Sequence, residues 1–338
     1  MKIRCWNLGL VMATCLLSLW LMASFLDQFS SQNNLYDVAR TQLRTCHCPS
    51  NSSRKCGCYH EVHSCSVCLH IPGESDWFDR RFASAIEPLQ RSEGPMSYDA
   101  LVWWMGLQSV NLVRETENKQ QQLIKPPSRR PLGPMQSNCQ TCAVVGNSRS
   151  LRGSGLGSRI NQHDMVLRIN QAPVQGFEAD VGNMTTMRIM YPDIASTQDP
   201  GAQLLLLPLN SSALEWFISV LQKQNYYFKA KNPGYRMVQY PDGNEDKILV
   251  ISLSFLKYIQ ESWLEYQGPY PSLGFVALLY ALHTCDQVSL FGFGADHHNT
   301  WFHYWDDKYW FNNSMQHFPA ERMVIHRLHC EGKVHVYK

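Results

Sequence analysis

The sequence has no excess of charge of either sign: 30 Lys and Arg residues stand against 28 Asp and Glu residues, a formal net charge of +2. This balance excludes a protein mainly steered toward polyanions such as nucleic acids, although a local pocket can still attract one small anion. Neither a P-loop GxxxxGK[ST] sequence nor an Asp-x-Asp motif occurs. The composition, 44% hydrophobic and 17% charged, excludes a disordered chain and a multi-span membrane protein. A length of 338 residues predicts one large α/β domain or two smaller ones.

A single run is apolar and long enough to cross a membrane. Residues 8–26 carry no Lys, Arg, Asp or Glu and are dominated by Leu, Met, Ala, Phe and Trp. A helix of that length spans roughly 30 Å of hydrocarbon. Basic residues precede the run, so we expect residues 1–7 to stay in the cytosol and the rest to be translocated, with residues 27–64 as a stem. A cleaved signal peptide is the alternative, but the run exceeds the about 7–15 apolar residues of such a signal.

Most of the cysteines lie beyond this run, and their even number in a translocated chain indicates disulfides. The spacing of Cys65 and Cys68 would also suit a zinc ribbon, although an oxidising compartment argues against thiolate ligands. The cysteines concerned are Cys46, Cys48, Cys56, Cys58, Cys65, Cys68, Cys139, Cys142, Cys285 and Cys330. Glycosylation sequons that fit a lumenal chain occur at Asn51, Asn183, Asn210 and Asn312.

From Cys142 onward, short β-branched or Leu-rich runs alternate with amphipathic stretches. This alternation predicts a largely parallel sheet in an α/β domain. The predicted strands are residues 143–145, 165–169, 186–190, 204–207, 248–251 and 288–291, with 333–337 as a terminal strand. The predicted helices are residues 75–89, 97–108, 214–224, 254–266 and 272–283, and the proline-rich residues 114–136 are predicted to form a surface loop.

Two segments place small and polar residues where strands end, which is where α/β sheets bind ligands. The first, CAVVGNS, ends at Gly146, Asn147 and Ser148, and the second leads through Ser272 and Gly274 into a helix. Exposed backbone N–H groups at such positions attract phosphate. The segments therefore suit a nucleotide, although glycines after strands more often make plain turns.

A nicotinamide oxidoreductase is a second hypothesis. Gly153, Gly155 and Gly157 form an approximate dinucleotide fingerprint, which would need an acidic ribose-binding residue about twenty positions onward. This hypothesis does not explain the apolar N-terminal run.

The ordered motifs resemble those of eukaryotic sialyltransferases. The block from Cys142 to Tyr191, with VVGNS, HDMVLRIN, GFEADVG and MYPD, is similar to their large donor-binding motif. The block 269–296, with YPS and FGFGAD, is similar to the small motif, and HYW at 303–305 to the third motif. With WFDRRF and ALVWWMGLQ, the chain most resembles β-galactoside α-2,3-sialyltransferases that act on Galβ1-3GalNAc. The resemblance implies a single GT-A-like (variant Rossmann) catalytic domain over residues 65–338.

The resemblance also implies a reaction, a location and partners. N-acetylneuraminic acid would pass from CMP-sialic acid to a galactose 3-hydroxyl with inversion, in a type II Golgi membrane protein whose cleavage would release a secreted form. Such chemistry needs a base for the hydroxyl and a partner for the leaving phosphate. No metal or other cofactor is expected, since the nearest approach to an Asp-x-Asp motif, Glu178–Ala179–Asp180, belongs to the large motif. The oligomeric state, with a homodimer among the alternatives, is left open.

Two histidines carry the implied catalysis. His303 matches the family histidine that contacts the donor phosphate. The family's last motif places the catalytic-base His before a Glu with four residues between them, whereas three separate His317 from Glu321 here. Either His317 is the base, which we favour, or Gln316 occupies the family position and the base is displaced. A catalytically silent glycan-binding relative is therefore a third hypothesis.

The other implied site residues follow from the same motifs, with Leu273 as a second departure because relatives usually carry a small hydroxyl residue there. Donor binding is implied for Asn147, Ser148, Asn170, Tyr270, Ser272, Gly274 and Gly294, and acceptor binding for Gln108 and Tyr191. The implied disulfides pair Cys142 with Cys285 and Cys139 with Cys65, with Cys68 bound to an upstream cysteine.

Overall fold

The fold is described from a computed structural model, and every described residue belongs to one of its two units, Cys48–Lys338. The described residues are 73, 75–90, 97–107, 140–191, 199, 201–209, 227–229, 235–237, 248–268, 270–294, 302–306 and 318–337. The other unit, Met1–His47, lies outside them, as do the predicted membrane run, the stem, the loop 114–136 and the helix 214–224. Within the described part of the chain, no helix is long and apolar enough to cross a membrane.

The described residues contain nine strands. In chain order they are β1 (Thr141–Val145), β2 (Met165–Ile169), β3 (Met187–Met190), β4 (Gln203–Leu206), β5 (Tyr227–Lys229), β6 (Tyr235–Met237), β7 (Ile248–Val250), β8 (Gln287–Phe291) and β9 (His335–Tyr337). Seven form one sheet in the order β7-β4-β3-β2-β1-β8-β9, with every pairing parallel, while β5 and β6 pair antiparallel. The predicted parallel α/β architecture is confirmed, and each predicted strand lies within two residues of its observed bounds.

The helices pack around the sheet, with one at the centre of the core. In chain order they are α1 (Asp76–Asp79), α2 (Tyr98–Gly106), α3 (Gly157–Ile160), α4 (Glu178–Val181), α5 (Leu253–Tyr258), α6 (Leu273–Thr284) and α7 (Phe318–Cys330). Nearly every side chain of α6 is buried, and the helix contacts β1, β2, β3 and β8. A helix that is apolar on all sides belongs in a core, so α6 provides a fixed support for the strand ends.

The predicted helix 75–89 is wrong in length. Only α1 is helical, and the chain then extends so that Leu89 forms an antiparallel bridge with Ile251. The backbone N–H of Ser252 donates to the carbonyl of Pro88 at 2.8 Å. A proline such as Pro88 disfavours the helical conformation of the residue before it, which helps to end the helix. The extended segment then covers the edge of β7.

The predicted helix 254–266 is also modified. It begins as α5, continues as the π-helical turn Ile259–Trp263, and ends in two left-handed residues, Glu265 and Tyr266, with φ of 48° and 60°. The predicted helix 272–283 corresponds closely to α6.

The implied disulfide between Cys142 and Cys285 is confirmed. Cys142 lies near the start of β1 and Cys285 just before β8, with their Cα atoms 6.1 Å apart. Because β1 and β8 are neighbours, the bridge ties the amino ends of two central strands together. The implied bridges of Cys139, Cys65 and Cys68 lie outside the described residues.

Replacing both Cys142 and Cys285 with Ala is expected to lower the free energy of unfolding by about 4–5 kcal/mol, since the bridge joins residues 143 positions apart and restricts the unfolded chain. Denaturant unfolding without reductant measures the loss. Cys330→Ala, which removes a thiol that contacts His326 and leaves this bridge intact, is the control. An unchanged midpoint in the double variant would contradict this assignment.

Candidate active site

The sheet reverses its winding between β1 and β8. From β1 the chain winds outward through β2, β3, β4 and β7, and it then returns to place β8 on the other side of β1. Loops that leave two such strands diverge and open a crevice at their carboxyl ends, where open α/β sheets bind ligands. Gly146 directly follows β1 and Gly292 directly follows β8, so the candidate site lies here.

The loops after β1 and β8 are in direct contact. The backbone N–H of Gly146 donates to the carbonyl of Phe291 at 2.7 Å, and that of Ser148 donates to the carbonyl of Gly292 at 3.1 Å. A Cβ at position 146 would overlap the Gly292 carbonyl, so this approach requires glycine. The loops that follow β1 and β8 therefore meet at the carboxyl ends of the two strands.

The third motif runs beside the loop after β1. His303 forms an antiparallel bridge with Ser148, and the N–H of Tyr304 donates to the carbonyl of Asn147 at 3.0 Å. The hydroxyl of Tyr304 donates to the carbonyl of Pro173 at 2.5 Å. These bonds place the backbone of His303 beside the loop after β1, at the crevice.

The surroundings of His303 favour a neutral ring that can become charged. Burial lowers the pKa of His303, while Asp306 acts in the opposite direction, its Oδ1 lying 3.7 Å from Nδ1. The ring stacks on Trp305 with centroids 4.1 Å apart. An imidazole of this kind donates a hydrogen bond when neutral and can take up a proton when negative charge develops beside it.

Two asparagines leave β1 and β2 at the same level of the sheet. Val145 and Arg168 are the last paired residues of these strands, and Asn147 and Asn170 each follow by two positions. The side-chain Oδ1 atoms of both asparagines are buried and accept no hydrogen bond from any residue that the structure describes. Buried polar atoms normally have a partner, so this pair is suited to accept hydrogen bonds from hydroxyl or amino groups of a ligand.

The first turn of α6 lies against the carboxyl ends of β2 and β8. A Cβ at Gly274 would lie 3.3 Å from the ring of Phe293 and 3.4 Å from Ile169. Ser272 caps the helix, its Oγ accepting from the N–H of Phe275 at 3.1 Å. The small-motif residues therefore meet the large-motif residues at the crevice.

Ser272 is bound to Glu321 of α7. Its N–H donates to Oε1 of Glu321 at 2.7 Å and its hydroxyl donates to Oε2 at 2.5 Å. Burial raises the pKa of Glu321 to about 7, although the bonds from Ser272 act to lower it. Both polar hydrogens of Ser272 are thus engaged, so this residue links α6 to α7, and its direct contact with a donor stays a prediction.

The remaining expected site residues are partly described. Tyr191 directly follows β3 and packs against the core, and burial raises the pKa of the half-buried Tyr270. Gly294 follows β8 with a φ of 102°. The expected residues Gln108 and His317 lie outside the described residues.

The glycine-rich stretch after β1 is occupied by a carboxylate of the chain itself. Asp180 accepts hydrogen bonds from the N–H groups of Gly153 at 2.7 Å and Gly155 at 2.9 Å. Gly157 lets α3 approach α4 so closely that a Cβ would overlap the carbonyl of Glu178. These N–H groups do not face a phosphate, so the dinucleotide interpretation of this segment is wrong.

Comparison with known proteins identifies the family. The sequence profile of glycosyltransferase family 29 (sialyltransferase) matches residues 89–333. The chain belongs to this sialyltransferase family. The CMP-N-acetylneuraminate-beta-galactosamide-alpha-2,3-sialyltransferase 1 of Gallus gallus is 37% identical over 248 residues, covering 72% of this chain and 71% of the relative. The corresponding sialyltransferase 2 of Rattus norvegicus is 36% identical over 285 residues, covering 81% and 79%.

A solved structure supports both family and fold. The crystal structure of a mammalian sialyltransferase in complex with Gal-beta-1-3GalNAc-ortho-nitrophenol superposes with a TM-score of 0.69 at 32% identity, covering 80% of this chain and 97% of that chain. The mainly parallel sheet is therefore that of a sialyltransferase, and the chain is a glycosyltransferase.

This sialyltransferase also has buried charges that the sequence motifs did not indicate. Arg168 is fully buried in β2, and its Nη2 donates to the carbonyls of Val181 at 2.7 Å and Met184 at 2.8 Å. Burial lowers the pKa of Arg168 to about 10. The sequence signal for this role is a lone arginine inside an apolar strand. Because a buried charge needs hydrogen-bond partners, such an arginine indicates bonds to neighbouring backbone groups.

The described ranges contain no group of three or more His, Cys, Asp or Glu side chains arranged to hold a metal ion.

Glu321→Gln is expected to change how stability depends on pH. The folded protein holds the Glu321 proton more tightly than the unfolded chain, since the pKa rises from 4.5 to about 7. The free energy of unfolding contributed by this group therefore falls as pH rises from about 4.5 through about 7, by about 3 kcal/mol. The amide of the variant does not titrate and lacks this fall.

Denaturant unfolding at pH 5 and pH 8 measures the free energy of unfolding of wild type and of Glu321→Gln. The difference between these two values should change by about 2–3 kcal/mol from pH 5 to pH 8. Glu265→Gln controls for the loss of a carboxylate at an exposed position. The same pH dependence in wild type and Glu321→Gln would contradict the raised pKa.

Proposed function

We propose that the chain transfers N-acetylneuraminic acid from CMP-N-acetylneuraminate to the 3-hydroxyl of galactose in Galβ1-3GalNAc termini of glycoproteins and glycolipids. The observation that carries the proposal is the direct contact of the loops after β1 and β8, with His303 bound beside them. Relatives named alpha-2,3-sialyltransferases and a similar structure holding Gal-beta-1-3GalNAc-ortho-nitrophenol support the linkage and the acceptor.

The donor would lie in the crevice at the carboxyl ends of β1 and β8. The buried amide oxygens of Asn147 and Asn170 would accept hydrogen bonds from donor hydroxyl or amino groups. The phosphate would lie beside His303. As the bond between the sialyl carbon and the phosphate oxygen breaks, the imidazole would donate to the oxygen that gains charge, and Asp306 would stabilise the protonated ring.

The acceptor hydroxyl would attack from the face opposite the leaving CMP, which inverts the anomeric carbon. Its proton must pass to a base as the new bond forms, and we assign that role to His317. A departing CMP carries a single phosphate, whose charge a histidine and backbone N–H groups can stabilise. We therefore propose a metal-independent reaction without a cofactor.

We also propose that the protein is a type II Golgi membrane enzyme with residues 8–26 as its anchor and a GT-A-like catalytic domain in the lumen. The disulfide between Cys142 and Cys285 supports an oxidising compartment.

A catalytically silent glycan-binding protein is the second candidate, because only three residues separate His317 from Glu321. It would bind CMP and the disaccharide without turnover.

The purified chain is expected to transfer sialic acid from CMP-N-acetylneuraminate to Galβ1-3GalNAc in the presence of EDTA, since no step needs a divalent ion. Product mass and NMR of the linkage measure the reaction, with Galβ1-4GlcNAc as the control acceptor. Loss of all activity in EDTA that manganese restores would contradict the metal-free mechanism. Binding of CMP without transfer would favour the silent candidate.

His317→Ala is expected to lower kcat by about two to four orders of magnitude, which is the usual contribution of a general base. The Kd for CMP, measured by calorimetry, should stay within about twofold of wild type because the base acts on the acceptor. Gln316→Ala is the neighbouring control and should keep its kcat. If turnover survives in the first variant and is lost in the second, the base assignment is wrong.

A further inference from the structure

Arg188 is a second buried guanidinium, in the interior strand β3 and 3% exposed. Its Nε donates to Oδ2 of Asp199 at 2.6 Å, and its Nη2 lies 2.5 Å from the same oxygen. Its Nη1 donates to the carbonyls of Asn170 at 2.6 Å and Ala172 at 3.1 Å. A buried charge is tolerated when it is paired and hydrogen-bonded, and here the bonds reach the loop that follows β2.

These bonds act on a residue with an unusual backbone. Asn170 has a φ of 54°, in the left-handed region that costs a non-glycine residue about 1 kcal/mol or more. The N–H of Asn170 donates to the carbonyl of Ile189 at 2.8 Å, and its carbonyl accepts from Arg188. β3 thus holds both polar groups of this residue, which fixes the direction in which its Cβ leaves the backbone.

The side chain so directed is one of the two asparagines of the crevice, level with Asn147. Its buried Oδ1 accepts no hydrogen bond within the described ranges. We propose that Arg188 is a positioning residue for the donor: it holds the Asn170 carbonyl so that the Asn170 amide faces the nucleotide sugar, and Asp199 holds the guanidinium. This inference rests on the proposed function, since the donor is the ligand assigned there.

Arg188→Met in the full chain tests the inference. We expect the KM for CMP-N-acetylneuraminate to rise about tenfold, which corresponds to loss of one neutral hydrogen bond between the Asn170 amide and the donor, with kcat and the KM for Galβ1-3GalNAc within about twofold of wild type. A purely structural role would lower the amount of active enzyme and leave both KM values unchanged. That result overturns the inference.

A double variant tests whether Arg188 acts through Asn170. If it does, adding Arg188→Met to Asn170→Ala should change the donor KM by less than about twofold, because the affected group is already absent. Effects that multiply overturn the inference. Arg81→Met, which removes an ion pair with Glu265 and touches neither Asn170 nor Arg188, is the control and should leave both KM values unchanged.

Asp199→Asn keeps the test available if Arg188→Met does not fold, which circular dichroism would show. This variant retains the shape of the partner but weakens its hold on the guanidinium, so the donor KM should rise about threefold. An unchanged donor KM in folded Asp199→Asn overturns the inference. A wild-type chain that binds no CMP overturns the proposed function as well, whereas an active wild type with an unaffected Arg188→Met overturns the inference alone.

Discussion

The candidate site depends on two neighbouring backbones approaching to hydrogen-bond distance. The parallel register pairs Val145 with Phe291 at the ends of β1 and β8, and the absence of a side chain at Gly146 lets the next residues stay in contact. The disulfide from Cys142 to Cys285 ties the amino ends of the same two strands. The strand pair is therefore fixed at both ends, and the crevice walls are in place before a ligand binds, which lowers the entropic cost of binding.

Buried charges then place the loops that carry the expected ligands. Arg168 and Arg188 are register partners on adjacent strands, so their side chains leave the same face of the sheet. Each donates to backbone carbonyls of the crossover after β2. Glu321 accepts from the N–H and the hydroxyl of Ser272. Removing one of these charges would leave buried backbone groups without partners, which costs more than a hydrogen bond normally contributes. The contacts of Arg168, Arg188 and Glu321 thus position the loops of the candidate site.

The strands and α6 were predictable because a parallel sheet buried on both faces needs continuous apolar runs. The early end of the helix predicted over 75–89 could not be predicted, because the chain there extends to pair Leu89 with Ile251. Local periodicity cannot show such a contact. The same applies to Ser272 and Glu321, which are 49 residues apart. The arginines of β2 and β3 were visible as charges in apolar runs, but their carbonyl partners follow only from the tertiary fold. The family resemblance indicated which residues of the crevice are expected to bind the donor. Only the structure shows which buried residues hold them in place.

The shortened interval before Glu321 can be assessed from what holds Glu321. One residue of an α-helix corresponds to 100° of rotation and 1.5 Å of rise, so a side chain four positions before Glu321 and one five positions before it would not leave a continuous helix in the same direction. His317 and Gln316 lie outside the described residues, which resume at Phe318. Helical register therefore does not choose between them, and the chemistry does. An imidazole can accept a proton near neutral pH, whereas a neutral amide cannot serve as a base, which is why His317 is the better assignment.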